Sequence, residues 1–176
     1  MAPRKPCPQC VAQKRTGGQC KIHTCKYHKK CYVHSVHQDG LKIDKSTIRG
    51  AGQGLYTLKD RDKGEMITQY LGKKKTRAQI EQKYPGDTQA PYVVKAKGTD
   101  KFIDASQPPA GMARYANHGN VRNQNAKLAT TRQKKVVIKA TKKIRVPHGR
   151  KKEILVDYGK EFWKRNPSRQ HAHRRA

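Results

Sequence analysis

Acidic residues are scarce in this chain, and cysteine disappears from it after position 31. Asp and Glu together number 12 against 41 Lys and Arg, a net charge of +29 over 176 residues, and residues 1–37 contain no acid at all. No apolar run approaches the ~18 residues of a membrane span, and the opening MAPRKPCPQC has no apolar core of signal-peptide length. The expectation is a soluble, intracellular protein. In a reducing compartment, an odd number of cysteines confined to Cys7–Cys31 does not make a disulfide framework. Apolar residues are only 34% of the total, and the length allows one ordinary domain with a small appendage, or two small ones.

What the chain has in excess is positive charge. It predicts strong, salt-sensitive attraction to polyanions, nucleic acid first among them. A ribosomal or DNA-packaging protein would show the same balance, so the charge names a class of partner and no reaction. Composition divides the chain into a Cys/His module at residues 1–37, a main domain at 38–163 and a basic tail at 164–176. All five cysteines and four of the eight histidines lie in the first part, and all twelve acids fall within 38–161.

The main domain reads as short strands, at LKIDKSTI, LYTL, MITQYL, YVVKA, KFIDA, AKLATT, VVIKA and EILVDY. GAGQG, DKG, YPGD and QPPAG punctuate them. The best helix candidate is TRAQIEQKY, residues 76–84. Many short strands joined by loops predict a compact, mostly-β fold, neither a helical bundle nor a parallel βαβ sheet. There is no internal repeat.

In the first part, Cys7-x2-Cys10 and Cys31-x2-His34 have the spacing that lets a tight turn present two ligands to one ion. Cys20 and Cys25 lie between them, with His23, His28 and His37 nearby. Zinc takes four N or S ligands in a tetrahedron, and a segment this poor in apolar residues would draw much of its folding energy from the metal. The run from Cys10 to His34 resembles short Cys-Cys-Cys-His elements that end in C-x2-H. That resemblance implies a structural zinc on Cys10, Cys20, Cys31 and His34. Cys7 could replace Cys10, and Cys25 could replace Cys20. Nine candidate ligands would suffice for two sites, but one is expected in so short a segment.

Three separated pieces of the main domain carry the chemistry. Gly52-Gln53-Gly54 permits a backbone turn that a ligand can approach closely. Phe102-Ile-Asp-Ala-Ser is followed by Arg114-Tyr-Ala-Asn117-His118, whose Asn-His pair can bond a small polar ligand. An apolar strand, Ile154-Leu-Val156-Asp157, delivers Tyr158 beside Gly159. In this order and spacing, together with Gln69-Tyr70-Leu-Gly72 and Asn125-Ala126, the pieces resemble the SET-domain family of lysine methyltransferases. The resemblance runs from about Ile48 to Trp163.

It implies a fold of small β-sheets and short helices with a pseudoknot, in which the Asp-Tyr-Gly strand passes the Asn-His segment. It further implies that Gly52, Gln53 and Gly54 hold the methionine end of S-adenosyl-L-methionine. Arg114, Asn117 and His118 would bind its carboxylate, amine and adenine regions, and Trp163 would pack on the adenine. Tyr70, Tyr92 and Tyr158 would line a channel for the substrate lysine, with Tyr158 catalytic. Compact viral members of the family are similar in size and in ending Tyr-Gly-x-x-aromatic-Trp. Two positions depart from the family pattern: its usual serine after Asn-His is Gly119, and its Gly-Glu-Glu reads Lys151-Lys152-Glu153.

The expected partners are a histone or other basic protein as substrate, and nucleosomal DNA or another nucleic acid on the basic surface. A homodimer is compatible with the sequence, and no membrane partner is expected. The expected location is a nucleus or a virion. A different class of protein, a non-catalytic zinc-bearing nucleic-acid-binding or virion architectural protein on a SET-like scaffold, would bind DNA without binding S-adenosylmethionine.

Overall fold

The computed structural model describes residues 8–24, 29–85 and 90–159. The first regular element is a helix that the sequence pattern did not suggest, α1 (Tyr32–Asp39). It begins on Cys31 and ends at Gly40, whose φ of 62° turns the chain so that its N–H closes on Ser35 O. Strands β1 (Leu41–Lys45), β2 (Gln53–Thr57), β3 (Met66–Gln69) and β4 (Lys73–Thr76) follow, then α2 (Arg77–Lys83). Next come β5 (Val93–Lys95), β6 (Lys101–Asp104) and a 3-10 turn at Met112–Tyr115. The chain continues through β7 (Asn117–His118), β8 (Ala126–Thr130), β9 (Val136–Ala140), β10 (Lys152–Glu153) and β11 (Leu155–Val156).

The expected mostly-β arrangement is what the structure has. Three antiparallel sheets, ordered β1-β2-β10, β3-β9-β8 and β4-β6-β5, surround one core that includes Leu55, Ile138, Ile154 and Val156. β9 is central in its sheet because Val136, Val137 and Ile138 are β-branched and buried on both faces. Helix α2 starts where the sequence predicts, since Thr76 and Gln79 exchange side-chain and backbone bonds in a capping box. β4 is a departure from the sequence reading: Lys73–Lys75 have no alternating pattern, yet they pair along β6.

The EILVDY run is also not one strand. Lys152–Glu153 pair with β2, and Ile154, fully buried, donates its N–H to Leu55 O at 2.7 Å. The chain then leaves that sheet, and Leu155 and Val156 run parallel to Asn117 and His118. Tyr158 lies two residues beyond the strand's end. This parallel pair is the pseudoknot crossing that the resemblance implies.

Asn125 clamps it. Its side-chain amide donates to Glu153 O at 2.8 Å and accepts from Leu155 N at 2.9 Å, while its own N–H reaches Leu155 O. The residue is 3% exposed, so nothing else can satisfy those backbone groups. Gly119 completes the fit. A Cβ there would stand 2.9 Å from Leu155 Cβ and 2.5 Å from Asn123 Oδ1, which is a physical reason for glycine where the family has serine. Asn125→Ala strands two buried backbone groups and should lower the unfolding free energy by about 3 kcal/mol. Chemical denaturation measures it, and a loss under about 1 kcal/mol would contradict the clamp.

Candidate active site and metal centre

The described part of the N-terminal module is a small hairpin-like turn whose backbone bonds include Cys10 N to Ile22 O and Cys20 N to Ala12 O, both 2.8 Å. Cys31 then stands at the N-cap of α1 with His34 one turn later. These contacts gather Cys10, Cys20, Cys31 and His34, whose ligand atoms all lie within 4.8 Å of one another. His34 Nδ1 is 3.2 Å from Cys31 Sγ and 3.6 Å from Cys10 Sγ, close to the ~3.5 Å separation that tetrahedral zinc requires of its ligands.

The three cysteines are buried. Burial opposes ionisation of Cys10, yet the Cys31 N–H donated to its sulfur brings it below an ordinary thiol. Burial and the contact with Cys10 hold Cys31 above one. A divalent cation favours the thiolate at every sulfur, so this donor set fits zinc as a structural ion. Of the other ligands weighed, His23 and His37 are not part of this cluster, and Cys7, Cys25 and His28 lie outside the described residues.

The module is joined to the main domain by buried polar contacts. The Tyr32 hydroxyl lies 3.3 Å from both Ile43 O and Ile43 N. Arg61, 4% exposed, directs its guanidinium to Asp39 O at the end of α1, to Thr57 Oγ1 and to Glu65.

At the other end of β1, three segments meet. Asn117 Nδ2 donates to Gln53 O and to Ser46 Oγ, each at 3.0 Å, and is 3.3 Å from Glu153 Oε1. Acceptors on the inner side fix the amide, so its Oδ1 faces outward as an acceptor. Gly52 has φ +72° and open space where a side chain would be, and both Gly52 and Gln53 are exposed. Gly54 is different: its missing Cβ would stand 2.2 Å from Glu153 Oε1, so a carboxylate of the chain itself occupies that space.

His118 and Tyr158 stand together, ring centroids 5.5 Å apart. Tyr158 N donates to His118 Nδ1 at 3.2 Å, which places the ring proton on Nε2. Asp157 Oδ1, 3.7 Å from the same nitrogen, is therefore a neighbour and not an ion-pair partner. The Tyr158 hydroxyl donates to Ala116 O at 3.0 Å, which leaves its oxygen as an acceptor.

Tyr70 donates its hydroxyl to Tyr92 O at 3.0 Å. Its burial, and then the nearby Tyr158 phenol, push its pKa well above the usual tyrosine range, so it stays neutral. Arg114 lies with its guanidinium carbon 4.0 Å from the Tyr92 ring centroid. Its Nε is buried and has no partner among the described residues, an N–H left for a ligand such as a carboxylate. With the outward Asn117 oxygen, this suits the amino-acid end of S-adenosylmethionine.

The structure thus groups Gly52, Gln53, Gly54 and Asn117 on one side, and His118, Tyr158, Tyr70, Tyr92 and Arg114 beside them. Trp163 lies outside the described residues. Glu153, Ser46 and Thr47 were not among the expected site residues. The available signal was Glu153 itself, an acid opening an apolar strand in a chain with very few acids.

A short parallel strand pair threaded between three small antiparallel sheets, with an Asn-His segment on one strand and a tyrosine just past the other, defines the SET class of fold. The SET domain family model matches residues 52–159, more than half of the sequence, and the chain belongs to that family. The family is one of S-adenosylmethionine-dependent lysine methyltransferases. Among solved structures, ctPRC2 in complex with H3K27me3 and H3K27M is similar, with a TM-score of 0.57 and 20% identity. That likeness, which is one of fold, covers 68% of this chain and 14% of the other. No curated protein matches.

One zinc per chain is expected by elemental analysis. Because Arg61 and Tyr32 couple the module to the main domain, a strong chelator should lower the melting temperature of the whole protein, and Cys31→Ser should reproduce the shift. An unchanged melting curve after complete metal removal would rule the centre out as structural.

Proposed function

We propose that this chain is a protein-lysine N-methyltransferase using S-adenosyl-L-methionine, acting on a histone in chromatin and carrying the product to di- or trimethyl-lysine. The observation that carries the reading is the β7–β11 crossing, which sets the Tyr158 phenol beside the Asn117-His118 segment. On this reading residues 38–163 are the catalytic domain, 1–37 the zinc module and 164–176 a basic tail. The location is a nucleus, or a virion if the protein shares the compact viral members' setting.

When bound, the cofactor supplies an electrophilic methyl group on a positively charged sulfur. The nucleophile must be a neutral amine, and neutralising a free lysine of pKa ~10.4 at pH 7 costs about 4.6 kcal/mol. An apolar channel next to a positive charge lowers that pKa by roughly 3–5 pH units, so no dedicated carboxylate base is required. Tyr70, kept neutral by burial, and Tyr92 are suited to wall such a channel. The Tyr158 hydroxyl proton is held by Ala116 O, so its oxygen can accept from the amine and orient the nitrogen lone pair.

Val156 stands two residues before Tyr158, where many family members have Phe or Tyr. It is smaller and has no hydroxyl to hold a water, which favours room for an already methylated amine. Histone tails are themselves basic, so a net charge of +29 serves a third party better than it serves the peptide. Nucleosomal DNA fits, because screening over ~8 Å separates distant lysines from the peptide site. Asp157, 58% exposed next to Tyr158, is the acid best placed to face a basic peptide. Glu161, the other candidate, lies outside the described residues.

Incubation with labelled S-adenosylmethionine, histones and nucleosomes tests the reading. Tyr158→Phe should lose about a hundredfold or more in turnover while retaining cofactor binding. Near-normal methylation by that variant would refute the assignment, and DNA binding by a wild-type chain that never takes up the cofactor would point to the architectural class. Mass spectrometry should find di- or trimethyl-lysine. Nucleosomes should outperform free tails at low salt, and the advantage should shrink as salt rises.

A further inference from the structure

Glu153 is a buried carboxylate, 4% exposed, and no Lys or Arg pairs with it among the described residues. That is unusual in a chain with 41 such cations. Asp104, comparably buried, pairs with Lys83 at 2.6 Å. Glu153 is solvated instead by neutral donors, all on the edge of the cofactor cleft. Oε1 accepts from Ser46 Oγ at 2.7 Å and lies 3.3 Å from Asn117 Nδ2. Oε2 accepts from Thr47 N at 2.8 Å and from the Thr47 hydroxyl. The Tyr56 hydroxyl, which gives its hydrogen to Lys45 O, stands 3.4 Å from Oε2.

These bonds tie three segments that are far apart in sequence. Ser46 N donates to Gly52 O at 2.9 Å, and Asn117 Nδ2 holds Gln53 O, so the turn carrying Gly52 and Gln53 rests on the same partners as the carboxylate. Gly54 then leaves the room that Glu153 fills. A carboxylate is acceptor-only when ionised, and that property dictates the arrangement. Together with Gln53 O and Ser46 Oγ it holds the Asn117 NH2 inward, which turns the amide oxygen outward.

We infer that Glu153 is a positioning residue for the cofactor: through Ser46, Thr47 and Asn117 it fixes the Gly52–Gly54 turn and the outward Asn117 oxygen, and so sets the affinity for S-adenosylmethionine. The inference rests on the methyltransferase reading. Glu153→Gln keeps the size of the side chain but replaces one acceptor by a donor facing the Ser46–Thr47 donors, and the Asn117 amide is left with fewer acceptors to hold it, Gln53 O and Ser46 Oγ.

Titration calorimetry of the zinc-loaded full chain with S-adenosylmethionine, alongside steady-state kinetics and a thermal melt, is the test. Glu153→Gln should weaken cofactor binding about tenfold. The same variant should raise the cofactor KM in proportion, with kcat at saturating cofactor and the peptide KM unchanged. A purely structural role would lower the melting temperature without that split. A folded Glu153→Gln chain with wild-type cofactor affinity overturns the inference. If that variant does not fold, Ser46→Ala decides, because it removes the hydroxyl that links Glu153 Oε1 to Asn117 Nδ2 while leaving the carboxylate itself and its Thr47 donors in place: weaker cofactor binding supports the inference and unchanged binding overturns it. Failure of the unaltered chain to bind S-adenosylmethionine would instead overturn the methyltransferase reading.

Discussion

The parallel crossing of β11 over β7 is the constraint on which the remaining structure depends. Two residues of pairing are too few to hold strands together on their own, since isolated short pairs are marginal in water. The crossing survives because its surroundings leave it no alternative. Asn125 supplies bonds on the far side of Leu155, Gly119 lets the backbones approach, and Ile154 is sunk in the core at the point where the chain changes sheet. Everything chemical follows from that change of sheet. Glu153 ends on the β2 side, under the Gly52–Gly54 turn, and Tyr158 ends on the β7 side, against His118. The six residues from Glu153 to Tyr158 thus serve both halves of the candidate site.

Most of the few acids have a traceable use. Asp39, Asp44, Asp60, Asp62, Glu65, Glu81 and Asp104 each have a cationic partner, mostly to hold a turn, a helix end or a strand edge. Asp44 is drawn below the usual carboxylate range by hydrogen bonds from Lys151 and then Lys42, and Asp60 by the Val146 N–H and then Arg145. Such acids neutralise their own neighbourhoods and leave the remaining Lys and Arg facing solvent. A positive field is then the natural state of this surface, and screening decides how far it reaches.

Much of this was legible in the sequence because it is written in local patterns. The strand pattern at 126–130, the β-branched run at 136–140, the helix-forming run at 76–84 and the Cys31-x2-His34 spacing each specify local geometry without help from distant residues. What was not legible is set by tertiary contacts. Lys73–Lys75 form a strand only because β6 offers a free edge. YVHSVHQD becomes α1 between Cys31 and a left-handed Gly40, although its composition is not helix-rich. The split of EILVDY has no local marker, since every residue in it would suit a continuous strand. Glu153 escaped for the same reason: a carboxylate at a strand end looks solvent-facing until the distant Ser46, Thr47 and Asn117 are seen to surround it.

The Cys/His cluster and the Gly52–Gly54 turn lie at different ends of the chain's fold, and β1 connects them physically. Tyr32 bonds the middle of this strand at Ile43, and Arg61 ties the end of the same helix to Thr57 of β2; the first turn of that helix carries two candidate metal ligands. At the end of β1, Lys45 O receives the Tyr56 hydroxyl, and the next residue, Ser46, bonds Glu153. Burial, and then the charge of Glu153, push the Tyr56 phenol up to about 12, so it remains the donor that this arrangement needs. A strand five residues long cannot shift at one end and hold register at the other, because its pairing with β2 runs the full length from Leu41 to Lys45. The helix that bears Cys31 and His34 therefore belongs to the same rigid unit as the turn proposed to hold the cofactor.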